Sequence, residues 1–159
     1  MNNYGTNDLK DKIFGALVYL LPIIYVAELG FGLMRQFPVF QVIYQPLTPL
    51  LQLIYGVPFA GLIVFFALFM GVVRNQNISR FIRFNTMQAI LLDILLVLYK
   101  LLFSVLGRGF SGGLMVQTLN NAMFLGILAA SFYAIAQCFQ GKYAELPIVS
   151  EAASSQTYY

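Results

Sequence analysis

Charge is what this chain has least of. Lys, Arg, Asp and Glu make up 9% of its 159 residues, against about a quarter of a soluble domain. So few polar groups cannot clothe a water-facing surface, and the 60% hydrophobic content and mean hydropathy of +0.78 agree. Lipid must cover much of the molecule. Histidine is absent altogether, which excludes His acid–base chemistry, a Ser–His relay and His metal sites. The single cysteine, Cys138, can form neither an internal disulfide nor a metal cluster, and in its apolar run it reads as a small packing residue. Nucleotide, dinucleotide and zinc-protease signatures are missing. The basic residues form no stripe, so nucleic acid is not an expected partner. No catalytic residue, cofactor or metal ion is expected.

What is present is long apolar runs. A polar segment, 1–12, precedes a helical membrane domain, 13–139, and a polar tail, 140–159, follows it. Spans are predicted at about 13–31, 54–73, 84–103 and 116–139, each near the ~20 residues a bilayer requires. The fold class is therefore all-α, a polytopic protein of four transmembrane helices. Between Arg35 and Arg74 lie 38 uncharged residues divided by Pro38, Pro46, Pro49 and Pro58. Phe37, Phe40 and Tyr44 recur there at helical spacing beside Gln41 and Gln45, which fits a short interfacial helix or a loop with aromatic anchors. Gly107 to Gly113 reads as a flexible turn, and Ala152 to Thr157 in the tail as poorly ordered.

Four spans put both termini on one side. Lys10, Lys12, Arg74, Arg80, Arg83 and Lys142 fall on that side, and Arg35, Lys100 and Arg108 on the other. This six-to-three bias places both termini in the cytoplasm or a plastid stroma.

Inside a bilayer, close backbone contact and interhelical hydrogen bonds hold helices together. Ala122, Gly126, Ala130 and Ala134 recur every four residues and suggest a packing groove. Asp93 lies nine residues into the third span, ~13 Å deep at 1.5 Å per residue. An ionised carboxylate there costs several kcal/mol unless paired or hydrated. With Asn85 and Gln88 it suggests a polar track directed into the bundle, serving either a conduit or partner, or a structural hydrogen bond. Glu28, near the outer end of span one, reads as an interface anchor. Glu28 and Asp93 are the only acids inside the predicted spans, and their different depths rule against a carboxylate pair.

The stretch Ser79 to Leu96 carries Arg80-Phe81-x-Arg83-Phe84-Asn85-x-Met87-Gln88-Ala89-x-Leu91-Leu92-Asp93-Ile94-x-Leu96. It resembles the central signature of the small four-helix subunit of TIC, the chloroplast inner-envelope protein import translocon, and of its cyanobacterial and plastid-encoded relatives. The resemblance points to Arg80, Arg83, Asn85, Gln88 and Asp93 as candidate functional positions. It implies a non-enzymatic subunit of a translocation or insertion complex, with other membrane subunits, precursor polypeptides and lipid as partners. It leaves homo-oligomers open. The implied location is a cyanobacterial plasma or thylakoid membrane or a plastid inner envelope. The lack of an import-targeting extension suits a cyanobacterial or plastid-encoded member. Two other readings remain open: a structural or assembly subunit of another photosynthetic-lineage membrane complex, and a small solute or proton transporter.

Overall fold

Uninterrupted apolar sequence gives the two simplest elements of the computed structural model, which describes residues 8–106, 109 and 113–157. Helix α7 (Arg80–Leu106) has 27 residues and helix α8 (Leu114–Phe139) has 26. At 1.5 Å per residue each is ~40 Å long, enough to cross a ~30 Å hydrocarbon layer unaided. Most of the expected glycine-rich turn between them, Arg108 and Ser111 included, lies outside the described residues, as does most of the N-terminal polar segment.

Proline breaks the other two. In the first, α1 (Leu9–Leu17) and α2 (Leu20–Tyr25) are separated by a turn at Val18 and Tyr19. Pro22 lacks the N–H that would bond the Val18 carbonyl, and its ring crowds that carbonyl. The chain then tightens into a 3-10 turn, Ala27–Gly30, before α3 (Phe31–Gln36), and the two halves meet at 53°. The carbonyls of Ile23, Ile24 and Tyr25, in the last turn of α2, accept side-chain hydrogen bonds. Their donors are the Tyr44 hydroxyl at 2.7 Å, the Tyr55 hydroxyl at 3.1 Å and Lys100 Nζ at 3.2 Å.

The first loop is more helical than the sequence suggested. Helix α4 (Val39–Tyr44), a 3-10 turn (Gln45–Leu47) and α5 (Thr48–Gly56) follow one another closely. Pro46 and Pro49 sit in first turns, where no backbone donor is needed, so they start helices that a sequence reading takes them to divide. Pro58 does the opposite. It holds Val57 extended (φ −102°, ψ 123°), Phe59 follows in the left-handed region (φ 60°), and the chain turns through 103°. The second span, expected from residue 54, therefore begins at α6 (Ala60–Leu68), which continues into a π-helical turn, Phe69–Val73. Among the described residues all regular structure is helical. Two of the described helices are long and apolar enough to cross a membrane alone, and up to four spans result when each bent pair is counted as one.

The first span is the wedge of the bundle, since α1 and α2 each pack on both α7 and α8. Glycine permits this at two places. A Cβ on Gly15 would sit 3.0 Å from Phe81 Cε1, and one on Gly30 would overlap the Phe124 ring. The buried face of α8 runs Phe124, Ile127, Leu128, Ser131, Ala134, Cys138. Within the chain this corrects the expected small-residue groove: Ala134 is buried and Ala130 half-buried, but Ala122 and Gly126 are exposed, and a Cβ on Gly126 would meet nothing within 4 Å. A repeat of four residues advances 400°, so the stripe drifts ~40° per step around the helix and leaves the contact face.

As far as Thr157 the tail is ordered, contrary to expectation. Helix α9 (Val149–Gln156) packs on α7. Tyr143 meets Phe81 and Phe84 edge-on at 5.2 and 5.0 Å. Arg80 lies 5.7 Å over the Tyr143 ring and donates to Ser154 Oγ at 3.2 Å. A Cβ on Gly141 would lie 3.3 Å from Lys12 Cε. The start of α1, the Arg74–Arg80 turn and the tail therefore share one end of the bundle.

That placement gives a labelling pattern. In a Cys138→Ser background, cysteines at Asn77 and Ser155 should react from one side of a sealed membrane and one at Gln117 from the other. Reaction of Asn77→Cys and Gln117→Cys from the same side would sink the topology. The glycines give a second test. Gly30→Ala should destabilise the monomer in detergent by about 1–3 kcal/mol, as overpacking does, while Gly126→Leu leaves it unchanged. Equal thermal stability of the two variants would contradict the assigned contact face.

Candidate functional site

Polar side chains inside the bundle form two separate groups. The first is a buried knot joining three helices. Gln88 Nε2 donates to the Tyr19 hydroxyl at 2.9 Å, and that hydroxyl donates to Asn85 Oδ1 at 2.8 Å. The Cys138 thiol donates to the same oxygen at 3.2 Å, and Asn85 Nδ2 donates to the Phe81 carbonyl at 2.8 Å. Tyr19, Asn85, Gln88 and Cys138 are all fully buried. Tyr19 can enter because the turn forced by Pro22 lies at its own position, and α1 can approach because residue 15 is glycine. In a low-dielectric interior such a network specifies one packing arrangement, since any alternative strands its donors.

The second group lines a lateral cleft of about 440 Å³ between α2, α6 and α7. Its walls are apolar and include Leu62, Phe65, Ile94 and Val97, while Tyr25, Asp93 and Lys100 are its polar residues. Asp93 Oδ1 and the Tyr25 hydroxyl are buried without a hydrogen-bond partner. Lys100 is occupied: it pairs with Glu28 and donates to the Tyr25 carbonyl. Asp93 is seven residues from Lys100 and ten from Arg83, or ~10 and ~15 Å along the helix, well inside the apolar run of α7.

The structure thus divides the expected polar track. Asn85 and Gln88 belong to the knot, and Asp93 points elsewhere, because five residues past Gln88 rotate it ~140° around the helix. Glu28 finds its partner in Lys100 on α7. Arg83, also buried, donates Nε to the Val73 carbonyl at 2.8 Å and so holds the end of the π-helical turn. Arg80 binds the tail. Further out, Tyr99 donates to Asn120 Oδ1 at 2.6 Å, tying α7 to α8. Among the described residues no three His, Cys, Asp or Glu side chains come together as metal ligands.

Sequence reasoning missed Tyr19 and Tyr25. Both look like ordinary apolar-run aromatics, and the available signal was their position on either side of Pro22, where broken helices expose polar partners. Tyr19→Phe should lower stability in detergent by about 1–2 kcal/mol, within the range of membrane hydrogen bonds. With Gln88→Leu it should be strongly non-additive, because both changes break the same hydrogen bond. A double-mutant cycle measured by thermal unfolding checks this, and additive losses would show that the two residues do not act together.

The signature in α7 thus contributes both to the knot and to the cleft, and comparison with known proteins extends the likeness beyond it. The family described as "Chloroplast import apparatus Tic20-like" matches residues 10–153, from the start of the first span into α9. A Tic20 family protein of Synechocystis sp. is 51% identical over the whole of both chains. Protein TIC 20-v, chloroplastic, of Arabidopsis thaliana is 38% identical over 94% of this chain and 72% of its own length. The Tic20 family protein Ycf60 of Porphyra purpurea is 31% identical over 97% of this chain and 81% of its own. With its signature motif and nearly all of its bent first span inside a match that reaches into α9, the chain belongs to the Tic20 family.

Proposed function

We propose that the protein is a non-enzymatic membrane subunit of a protein translocation or insertion complex. The observation that carries this reading is the match across 10–153 to a family described by its place in the chloroplast import apparatus. The architecture supports it. The outward faces of α6, α7 and α8 expose Ile63, Phe66, Met70, Leu98, Leu101 and Phe132, surfaces that lipid or neighbouring helices cover. The basic residues around Lys12, Arg74 and Arg80 gather at the end that holds both the start of α1 and the tail. Under the positive-inside rule that end faces the cytoplasm or stroma. Its membrane is then a cyanobacterial plasma or thylakoid membrane, or a plastid inner envelope. Arg80, Arg83, Asn85 and Gln88 maintain the fold at that end in this reading, while Asp93 and the Glu28–Lys100 pair remain for contact with partners or substrate.

The test is capture of a chain in transit. Tagged full-length protein, expressed in cyanobacterial cells and solubilised in mild detergent, should co-purify with other membrane proteins. It should also cross-link to an exported precursor arrested by a tightly folded C-terminal domain. A stable complex that never contacts the precursor would favour the structural or assembly role. Solute or proton flux by the purified protein in liposomes would favour a transporter.

A further inference from the structure

The lateral cleft has features that bundle packing alone does not account for. Its walls are lipid-like, its volume of about 440 Å³ lies within the range of small-molecule sites, and two polar atoms are left without partners on one side of it. Leaving a buried polar atom unpaired is costly, and in hydrocarbon no water relieves the cost. The two residues have complementary capacities. A carboxylate oxygen accepts, while a phenolic hydroxyl both donates and accepts. The group that satisfies both is a hydroxyl or a primary amine.

Depth narrows the ligand further. Asp93 lies ~15 Å along α7 from Arg83, too deep for a phospholipid headgroup, which stays at the membrane surface. Lys100, the cation among the described residues that line the cleft, is already held by Glu28 and the Tyr25 carbonyl, so these residues offer no free cation to a phosphate. Gly61 borders the space next to Tyr25: a Cβ there would already be in van der Waals contact, 3.4 Å from the Tyr25 hydroxyl oxygen, so a larger side chain would fill it. We infer that the cleft between α2, α6 and α7 binds a lipophilic molecule with a small hydrogen-bond-donating head, which seats against Asp93 and Tyr25 while its apolar body lies along Leu62, Phe65 and Val97. This site stands independently of the translocation reading.

The experiment uses the full chain in phosphatidylcholine nanodiscs with a twelve-carbon primary alcohol that carries a diazirine and a terminal alkyne. After irradiation, mass spectrometry should place the label on Leu62, Phe65 or Val97. Dodecanol or dodecylamine should compete about tenfold better than dodecyl methyl ether or dodecane, which offer no donor to the buried acceptor. The two effective arms tell a hydroxyl head from an amine. Asp93→Asn retains the acceptor and should retain the preference. Asp93→Leu should abolish the preference while labelling persists, and Gly61→Leu should block labelling by filling the space beside Tyr25. Equal competition by all four compounds in the unmodified protein would overturn the proposal, leaving an apolar groove filled by adventitious lipid only. So would undiminished labelling of a monodisperse Gly61→Leu variant. A photo-cross-linker at Leu62 that captures a protein in native membranes, with the alcohol unable to compete, would reassign the cleft to a partner helix.

Discussion

A helix broken inside hydrocarbon cannot leave its carbonyls bare, and much of the half of this molecule away from the tail follows from that constraint. Pro22 and the 3-10 turn after it disturb the hydrogen-bond ladder of the first span. Three successive carbonyls then take donors from elsewhere in the chain: Tyr44 and Tyr55 from the first loop, and Lys100 from α7. An isolated lysine at that position would be expensive. Here the break supplies it with an acceptor and Glu28 supplies the countercharge. The two tyrosine bonds fix the first-loop helices against the bundle, so a segment that could have drifted in the interface becomes part of the fold. Tyr44 also stacks on Phe124 at 6.2 Å, the ring that Gly30 admits. The bend in span one, the position of the loop and the packing of α8 are thus one set of dependent contacts.

The other half is organised by α7. Its first three turns are almost wholly buried, enclosed by α1, the π-helical turn and α9. Its later turns turn Leu95, Leu98 and Leu102 outward. Asp93 sits near the boundary between the two regimes. On the buried side every turn contributes a polar group with a partner: Arg83 to Val73, Asn85 and Gln88 to Tyr19. On the exposed side Tyr99 reaches Asn120 on α8, while Asp93 and Lys100 line the cleft. The buried half is thereby rigidly specified, while the half that meets lipid keeps an opening.

Composition and apolar run length made the class of this protein legible, because no soluble fold tolerates so little charge. Helices α7 and α8 were legible for the same reason, as nothing interrupts them. The first-loop helices were not, because proline has two opposite meanings. At Pro46 and Pro49 it begins a helix and at Pro58 it ends one, and only the neighbouring chain decides which. Asp93 stands apart from Asn85 and Gln88, its Oδ1 buried without a partner, because proximity in sequence is not a shared helix face. Within the chain the small-residue stripe is not one contact face, its strict four-residue repeat spreading Ala122 and Ala134 ~120° apart. The order of the tail was invisible, since it depends on Arg80 and Tyr143 meeting across the sequence.

The second span sets how open the half away from the tail can be. Helix α6 and its π-helical turn cover Ala60–Val73, 14 residues and therefore ~20 Å of rise, well short of a ~30 Å hydrocarbon layer. A span that short is accommodated by local thinning of the bilayer or by the helix before it turning in the interface. The 103° bend at Phe59 supplies the second solution. Arg83 anchors one end of this span through the Val73 carbonyl, whereas its other end adjoins the α5–α6 turn and the cleft. A helix fixed at one end and bordered by a cavity at the other has less packing to oppose its displacement. Of the four membrane segments, α6 is therefore the one whose movement would disturb fewest buried contacts. The first span, wedged between α7 and α8, is the one that could not move without dismantling the bundle.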